Sequence, residues 1–286
     1  MVLDFRIRPP YKSYLDLHIF RSSPPPADPR KQAALTMNRG PMPSREEGSM
    51  EHFLAEMDAA GITRAVVMGR SSPTFYGRVD NGHIQELINA HPQRFMGFAG
   101  IDLADMEQAV VATEHWLQQP GFKGIAIDPQ WEDPPFYPGD ERLDPVYAKC
   151  RDMGGICSIT SSIFLGPDMT YSEPVHIQRV ALRFPQLPIV VPHACWPHIE
   201  GALGMAMQCA NVYLLPDFYG YIPQMPMADQ IVRATNYYLR HRILYGSSYP
   251  VRPLGQSLEE FKRLELDQEA QANCLWHNGA HLLGLE

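Results

Sequence analysis

Two arginines near the start of the chain are the residues whose types and spacing most clearly suggest chemistry. Arg6 and Arg8 lie two positions apart in VLDFRIR (residues 2–8), a short apolar run of β type. On a strand, side chains at positions i and i+2 leave from the same face. Two adjacent guanidinium groups would make a rigid fork for a carboxylate, or a set of donors for a developing oxyanion. The sequence therefore predicts an anion site at the end of this strand.

Other charged residues could extend or cancel this anion site. Lys12 lies four residues beyond Arg8, and Arg252 follows the last β-type run, so both could join the arginine pair. The alternative is structural: one arginine of the pair forms an ion pair with Asp4 or Asp128 inside the fold. Of the two interpretations, we favour the anion site.

His193 and Asp128 are the candidates for proton transfer. His193 follows the apolar run LPIVV (187–191), and a histidine there can act as a general acid or base near neutral pH. Asp128 directly follows FKGIAI (122–127) and could activate water or orient a base. The histidine could instead be tied to a neighbouring side chain, and the aspartate could cap a loop. Asp217 is a weaker candidate of the same kind.

Nucleophilic catalysis is not favoured by the pattern. Cys195 lies two residues after His193, but a small buried thiol is the commoner fate of such a cysteine. Ser247 and Ser248 lack the strand–turn–helix arrangement of a nucleophile elbow. Tyr249 could donate a hydrogen bond to a substrate, although a tyrosine before a proline more often packs.

The elements that must position these residues alternate along the chain. Helical spacing is found at 50–61, 80–92, 105–121 and 173–185. Eight short, largely apolar runs are typical of buried parallel strands, at 2–8, 63–69, 94–101, 122–127, 155–160, 187–191, 211–215 and 242–246. Eight strand–helix units predict one domain over residues 1–286, a (β/α)8 TIM barrel of the α/β class. A doubly wound open sheet is the alternative, weakened because no glycine-rich dinucleotide fingerprint follows any strand.

One long irregular stretch, residues 9–47, leaves the end of the first strand. Barrel active sites lie at the C-terminal ends of the strands, where this stretch begins. A loop of this length in a compact domain is usually either functional or disordered. We expect a lid or a subunit-contact arm.

Composition excludes several classes of partner. The net charge is −8 and no basic run is present, which argues against nucleic acid or an anionic membrane surface. No apolar run reaches about 18 residues and no signal-like segment opens the chain, so neither a membrane span nor secretion is predicted. Five cysteines, odd in number and without CxxC spacing, indicate reduced thiols in a cytoplasmic protein.

Six segments carry a resemblance to a known family: RFMGFAGID, FKGIAIDPQ, FPQLPIVVPHA, NVYLL, RILYGSSYPV and HNGAHLLGL. In this order they resemble blocks of the amidohydrolase superfamily, in the amidohydrolase-2 branch. That branch includes aminocarboxymuconate-semialdehyde decarboxylase and related decarboxylases, hydratases and lactonases. The resemblance covers nearly the whole chain, and it implies a barrel with chemistry at the C-terminal ends of its strands.

The resemblance also implies a metal site, and most of its ligands are missing here. The family has His-x-His on strand one, a histidine on strand five and an aspartate on strand eight. At these positions the chain has Arg6 and Arg8, Thr160 or Ser161, and Ser248. The histidine of strand six is retained as His193.

Arginine cannot replace a metal ligand. A guanidinium offers no lone pair and stays protonated, and two fixed positive charges would repel a divalent ion. We therefore expect no catalytic metal and no other cofactor. Thr160, Ser161, Ser248 and Tyr249 are then expected to contact the substrate together with the arginines.

These observations predict a metal-independent enzyme acting on a small anionic organic substrate. Arg6 and Arg8 would hold an oxygen of the substrate, and His193 with Asp128 would deliver water or a proton. A hydrolase that opens a lactone or amide is expected first, because hydrolysis prevails in the superfamily that the chain resembles. The alternatives are a lyase (decarboxylase or hydratase) on a small unsaturated acid, and a non-catalytic protein that binds small acids. We expect a homodimer.

Overall fold

The structure, a computed structural model, describes residues 1–21 and 39–285. Over these residues, seven parallel strands pair side by side in chain order. They are β1 (Leu3–Ile7), β2 (Arg64–Met68), β3 (Phe95–Gly100), β4 (Phe122–Ile127), β5 (Ile156–Ile159), β6 (Ile189–Pro192) and β7 (Val212–Leu215). Helices alternate with the strands, so the predicted TIM barrel is confirmed.

The eighth predicted strand closes the barrel without forming a regular strand. Residues 242–244 exchange two N–H···O bonds of 2.9 Å with Leu214 of β7. On the other side, residues 245–249 accept two bonds of 2.9 Å, one from the amide of Phe5 in β1 and one from the amide of Arg8 just after it. Between these contacts the amide of Ser247 donates to Oδ1 of Asp4 at 2.9 Å. A side-chain carboxylate thus stands where a backbone carbonyl would continue the ladder, which explains the irregular segment.

The helices predicted from spacing are confirmed as α3, α4, α5 and α7. In chain order the α-helices of the described residues are α1 (His18–Arg21), α2 (Pro43–Glu46), α3 (Met50–Ala60), α4 (Asn81–Ala90), α5 (Met106–Leu117), α6 (Asp144–Asp152), α7 (Pro174–Arg183), α8 (Ile199–Gln208), α9 (Ala228–Asn236), α10 (Leu254–Lys262), α11 (Gln268–Ala272) and α12 (Asn278–Leu283). Gly61 ends α3 with a φ of 73°, a left-handed cap that glycine adopts without a Cβ penalty. Within the described residues, no helix combines the length and apolarity that a membrane span requires.

A bulge in β1 determines the direction in which the side chains of Arg6 and Arg8 point. Alternate residues of the strands fill the barrel interior, among them Leu3, Phe5, Val66, Met68, Phe98, Val190, Leu215 and Leu244. Ile7, in contrast, packs in the outer layer between strands and helices. The pairing of β1 with β2 shifts register between Asp4 and Ile7. Such a bulge lets a strand change which side chains face inward, and here Arg6 and Arg8 come to line a cavity at the C-terminal end of the barrel.

The long stretch after β1 is described only at its two ends. Lys12–Asp16 form a short 3-10 helix before α1, and α2 precedes α3. Residues 22–38, the middle of the predicted lid or contact arm, lie outside the described residues. The parts that are described place His18, Ile19 and Arg39 against the cavity.

Candidate active site

Arg6 is the centre of a buried polar cluster at the C-terminal end of the barrel. Its Nη1 atom donates to Oδ2 of Asp217 at 3.0 Å and to Oγ of Ser248 at 2.6 Å, and lies 3.2 Å from Nε2 of His193. A guanidinium can only donate, so Nε2 accepts and the ring proton of a neutral His193 is on Nδ1. Nδ1 lies 3.1 Å from the same oxygen of Asp217, without hydrogen-bond alignment. We call these four residues the paired side of the site.

The backbone of the paired side is strained. His193, Asp217 and Ser248 have positive φ angles of 67°, 54° and 59°. Ala194 and Cys195 continue at 48° and 58°, so residues 193–195 make one left-handed turn. Each such residue other than glycine costs about 1–3 kcal/mol and persists where the surrounding structure fixes it, most often at functional sites.

Burial sets the protonation of the paired side. The pKa of Asp217 is raised to about 7, because loss of hydration outweighs the attraction of Arg6 for the carboxylate. Burial and the positive charges of Arg6, Arg8 and Arg70 lower the pKa of His193 well below its usual value. The imidazole is therefore neutral at pH 7, whereas Asp217 can hold a proton there.

Asp4 and Gly246 pack against this cluster on the side away from the cavity. Oδ1 of Asp4 accepts from the amide of Arg6 at 3.1 Å and from the amide of Ser247 at 2.9 Å. Burial nevertheless raises the pKa of Asp4 to about 6. A Cβ at Gly246 would lie 2.9 Å from Oδ1 of Asp217, so only glycine lets the carboxylate come this close.

Arg8 differs from Arg6 in having no side-chain partner in the part of the chain that the structure describes. It is 4% exposed, and within the described residues its guanidinium makes no hydrogen bond or ion pair. Burial and the charges of Arg70 and Arg6 lower its pKa well below the usual value for arginine. A buried cation without an acceptor is costly, and an anionic ligand would supply the missing acceptor.

Arg70 stands beside Arg8, between an acid and aromatic rings. Its Nε lies 3.5 Å from Oδ2 of Asp128, and its guanidinium carbon lies 4.6 Å from the ring centre of Trp131. Trp131 stacks on Tyr76, with ring centres 4.1 Å apart. We call Arg8, Arg70, Tyr76 and Trp131 the open side of the site.

The two sides enclose a cavity of about 220 Å³. Its described lining contains four arginines and four aromatic rings besides two histidines, and no acidic residue. The arginines and aromatic residues are Arg6, Arg8, Arg39, Arg70, Tyr76, Trp131, Phe164 and Phe218. This lining suits a small, flat anion.

Comparison with known proteins identifies the family. The family model described as amidohydrolase matches residues 10–285. The chain belongs to the amidohydrolase family. A comparison with curated proteins found no match.

Solved structures with the same fold include one relative of substantial identity. An uncharacterised TIM-barrel protein from Bordetella bronchiseptica is 33% identical, with a TM-score of 0.90, over 99% of this chain and 98% of that one. The 5-carboxyvanillate decarboxylase from Sphingomonas paucimobilis is 15% identical, with a TM-score of 0.70, over 99% and 98% of the two chains. A dihydroxybenzoic acid decarboxylase from Polaromonas sp. JS666, solved with bound manganese, is 16% identical, with a TM-score of 0.66, over 86% and 91%. The structural neighbours of this amidohydrolase thus include decarboxylases.

Besides Ser248, four residues expected to contact substrate lie outside the cavity lining of the amidohydrolase. Lys12 forms a surface ion pair with Glu86. Arg252 is fully buried and donates to both carboxylate oxygens of Glu260, at 2.6 and 2.8 Å. The other two are Tyr249 and Ser161. Each of these four side chains is held by a partner elsewhere in the fold.

Tyr249 and Ser161 have structural hydrogen bonds. The hydroxyl of Tyr249 lies 2.7 Å from Oγ of Ser44. Ser44 gives its only hydroxyl proton to Oε2 of Glu56 at 2.6 Å, so Tyr249 is the donor. Ser161 donates to the carbonyl of Ser172 at 3.2 Å.

The remaining expected residues fall into two groups. Arg6, Arg8, Thr160 and His193 line the cavity. Ser248 and Asp128 stand one layer back, the former bonded to Arg6 and the latter facing Arg70. Neither arginine of the pair uses Asp4 or Asp128 as its side-chain partner; Arg6 uses Asp217 instead.

Sequence reasoning missed Arg70 and Arg39 and gave too little weight to Asp217. Arg70 follows β2 by two residues, so its position after a strand end was a usable signal. Arg39 lies in the long stretch after β1, where no periodicity indicates its neighbours.

Cys195 is buried and its pKa is raised to about 12, so it is a thiol and not an activated nucleophile.

The donor set does not fit the divalent ion that the family resemblance implies. Zinc binds nitrogen and oxygen ligands at about 2.0–2.2 Å. The point where His193, Asp217 and Ser248 converge is already taken by Nη1 of Arg6, within 2.6–3.2 Å of all three. Within the described residues, no three side chains of histidine, cysteine or acid come together as a metal-binding group.

Proposed function

We propose that this amidohydrolase is a metal-independent decarboxylase of a small aromatic or otherwise unsaturated carboxylic acid. The guanidinium of Arg8 carries the proposal: it has no partner among residues 1–21 and 39–285, and it lies in a cavity with aromatic walls, where an anion would pair with it. A planar acid meets both demands, because its carboxylate can pair with the arginine while its ring packs against Trp131, Phe164 or Phe218. The decarboxylases among the structural neighbours support lyase chemistry over the hydrolysis expected from the sequence.

The surroundings of Asp128 also favour a lyase. Hydrolysis of a lactone or amide requires a base that can activate water within the cavity. Asp128, the expected residue for that role, faces Arg70 at 3.5 Å and does not line the cavity. His193 presents Nε2 to Arg6, so its basic nitrogen is engaged in the free protein.

Decarboxylation needs an anion holder and a proton donor. The bond between the carboxylate carbon and the substrate carbon breaks, its electron pair stays on the substrate carbon, and carbon dioxide leaves. A proton then bonds to that carbon in place of the carboxylate. We assign the proton to the His193–Asp217 pair, because Asp217 can be protonated near pH 7 and His193 reaches the cavity. On binding, Nε2 would exchange its contact with Arg6 for one with the substrate, and the ring proton would move from Nδ1 to Nε2. Nε2 then gives this proton to the substrate carbon while Nδ1 takes the proton of Asp217, which is left as a carboxylate.

The test uses the full chain, dialysed against a chelator and assayed with hydroxybenzoic acids, carboxyvanillate, unsaturated aliphatic acids, lactones and amides. Released carbon dioxide and loss of substrate absorbance are measured together. We expect at least one acid to be decarboxylated at a rate that the chelator does not change. His193→Gln should abolish turnover while leaving saturable binding of the same acid.

Two results would contradict the proposal. Turnover of a lactone or amide without carbon dioxide would identify a hydrolase. Saturable binding of acids with no turnover in any assay would identify a non-catalytic small-acid-binding protein.

A further inference from the structure

We infer that the cavity binds a doubly charged acid, in which one anionic group pairs with Arg8 and a second, on a different edge of the molecule, pairs with Arg39. The inference rests on the proposal that Arg8 holds the carboxylate of the substrate. It adds a residue, Arg39, that decides which acids the protein accepts.

Arg39 is a second arginine of the cavity lining without an acidic partner. It is half-buried, and within the described part of the chain no carboxylate forms an ion pair with it. Glu46 attracts it from beyond ion-pair distance, and Oε1 of Glu46 accepts from the amide of Met42 at 3.2 Å. Partial burial and the positive charges of Arg45 and Arg252 lower the pKa of Arg39. An anion beside its guanidinium would offset both effects.

The balance of charge around the cavity calls for two negative charges. Arg6 and Arg70 each have an aspartate beside them, at 3.0 and 3.5 Å. Arg8 and Arg39 line the same cavity, and the described lining contains no acid for either. A ligand with one negative charge would therefore leave one of these two guanidinium groups without a counter-charge.

Arg8 and Arg39 belong to different parts of the cavity wall. Gly40, next to Arg39, is fixed to α10, because its amide donates to Oε1 of Gln256 at 2.9 Å. Helix α10 follows the irregular eighth segment, which adjoins one edge of β1. Arg8 follows β1 itself and lies beside Arg70, which follows β2 on the other edge of β1. A ligand that reaches both Arg8 and Arg39 must therefore carry its anionic groups apart and not on adjacent atoms.

The ligand class that fits is a flat, unsaturated acid with two separated anionic groups, such as an aromatic ring or a diene with a carboxylate at each end. Arg8 would hold one carboxylate and Arg39 the other. An acid with an uncharged second end would leave Arg39 unpaired in a partly dehydrated site. Arg39 is thus a specificity-determining residue, because it favours the diacid by contact and disfavours the monoacid by the missing contact.

The experiment measures binding of two matched pairs of acids by titration calorimetry, with the full chain dialysed against a chelator. In each pair a methyl group replaces one carboxylate: terephthalate against 4-methylbenzoate, and trans,trans-muconate against sorbate. We expect the wild type to bind each diacid roughly tenfold more tightly than its partner, since a hydrogen bond to a charged group is worth at least that factor.

The variants separate the two arginines. Arg39→Met should lower the affinity for the diacid to that of the monoacid and leave the monoacid unchanged, whereas Arg8→Met should weaken both. Arg39→Lys keeps the charge and should retain part of the preference. Lys12→Met removes one positive charge outside the cavity and should retain all of it. Melting temperatures of all four variants check that they are folded.

Two results would overturn the inference and leave the decarboxylase proposal standing. One is equal binding of both members of each pair by the wild type, and the other is a preference for the diacid that survives Arg39→Met. A preference lost on Arg39→Met, without carbon dioxide from any acid, would support the inference and contradict the decarboxylase. If neither member of either pair binds, both proposals are wrong.

Discussion

Arg6 and Arg8 leave the same strand two residues apart, yet they stand in opposite surroundings. Nη1 of Arg6, on the paired side, contacts Asp217, Ser248 and His193. Arg8, on the open side, is equally buried and has no partner within the described residues. Two identical side chains at the end of one strand therefore differ in their contacts: Arg6 is held by the protein, and Arg8 is the residue to which we propose that a substrate carboxylate binds.

Replacing Arg6 should produce the largest effect, on stability. Arg6→Met removes the cation beside the buried carboxylate of Asp217. Breaking a buried ion pair by removing one partner costs about 3–5 kcal/mol, because the other charge is left uncompensated. Urea unfolding at pH 8, above the pKa of about 7 that Asp217 has beside Arg6 in the wild type, measures this loss. A change under 1 kcal/mol would mean that Arg6 is not the counter-charge of the cluster.

Replacing Arg8 should affect activity and spare stability. Arg8→Met removes two charge-assisted hydrogen bonds to the proposed substrate, each worth about 1.5–3 kcal/mol, so kcat/KM should fall by roughly two to four orders of magnitude. The melting temperature should stay the same or rise, since the folded protein no longer buries an unpaired charge.

Lys12→Met is the matched control for Arg8→Met. It removes one positive charge four residues further on, outside the cavity. We expect its kcat/KM to equal that of the wild type. Equal losses in both variants would point to the general field of the protein and not to a contact made by Arg8.

Asp4 offers a test of pH dependence behind the paired side. Its folded-state pKa is about 6, against 3.8 for an ordinary aspartate, so the folded protein holds this proton more tightly than the unfolded chain. The contribution of Asp4 to stability is therefore fully present below about pH 4, and about 3 kcal/mol of it is lost as the pH rises from there through 6. Asp4→Asn cannot ionise and should lack this loss. Unfolding curves at pH 4 and pH 7 that differ equally in both proteins would contradict the assignment.

Tyr249 belongs to neither the paired side nor the open side. Tyr249→Phe should therefore have the smallest effect of these substitutions, on stability alone. It removes one hydrogen bond to Ser44, worth about 1 kcal/mol of stability. Because Tyr249 does not line the cavity, the kinetic constants of the proposed reaction should not change. A specific rise in KM would restore Tyr249 to the substrate-binding residues.

The fold could be predicted because its signals are local and repeated. Short apolar runs alternate with helical spacing, and each unit indicates its own element without knowledge of the others. The eighth strand was the exception, since a carboxylate of β1 interrupts its ladder, and no local pattern reveals a side chain that arrives from the other end of the chain.

The site was predicted where strand geometry alone decides it. The i, i+2 spacing of Arg6 and Arg8 fixes a common face, and both line the cavity. Which arginine acquires a partner depends on Asp217, which reaches Arg6 through a left-handed residue after β7. The partner of Arg252 is likewise set by the fold, because Glu260 comes from α10. Such pairings follow from how the barrel closes, and spacing does not contain that information.

The positive cavity sits in a protein whose net charge is −8. A small acid in solution is therefore repelled at long range and attracted only after it enters the mouth. At physiological ionic strength the Debye length is about 8 Å, so mobile ions screen the outer repulsion, while the buried arginines remain largely unscreened. Association should consequently become faster, or at least no slower, as salt rises from very low concentration, in contrast to proteins that draw anions in from a distance.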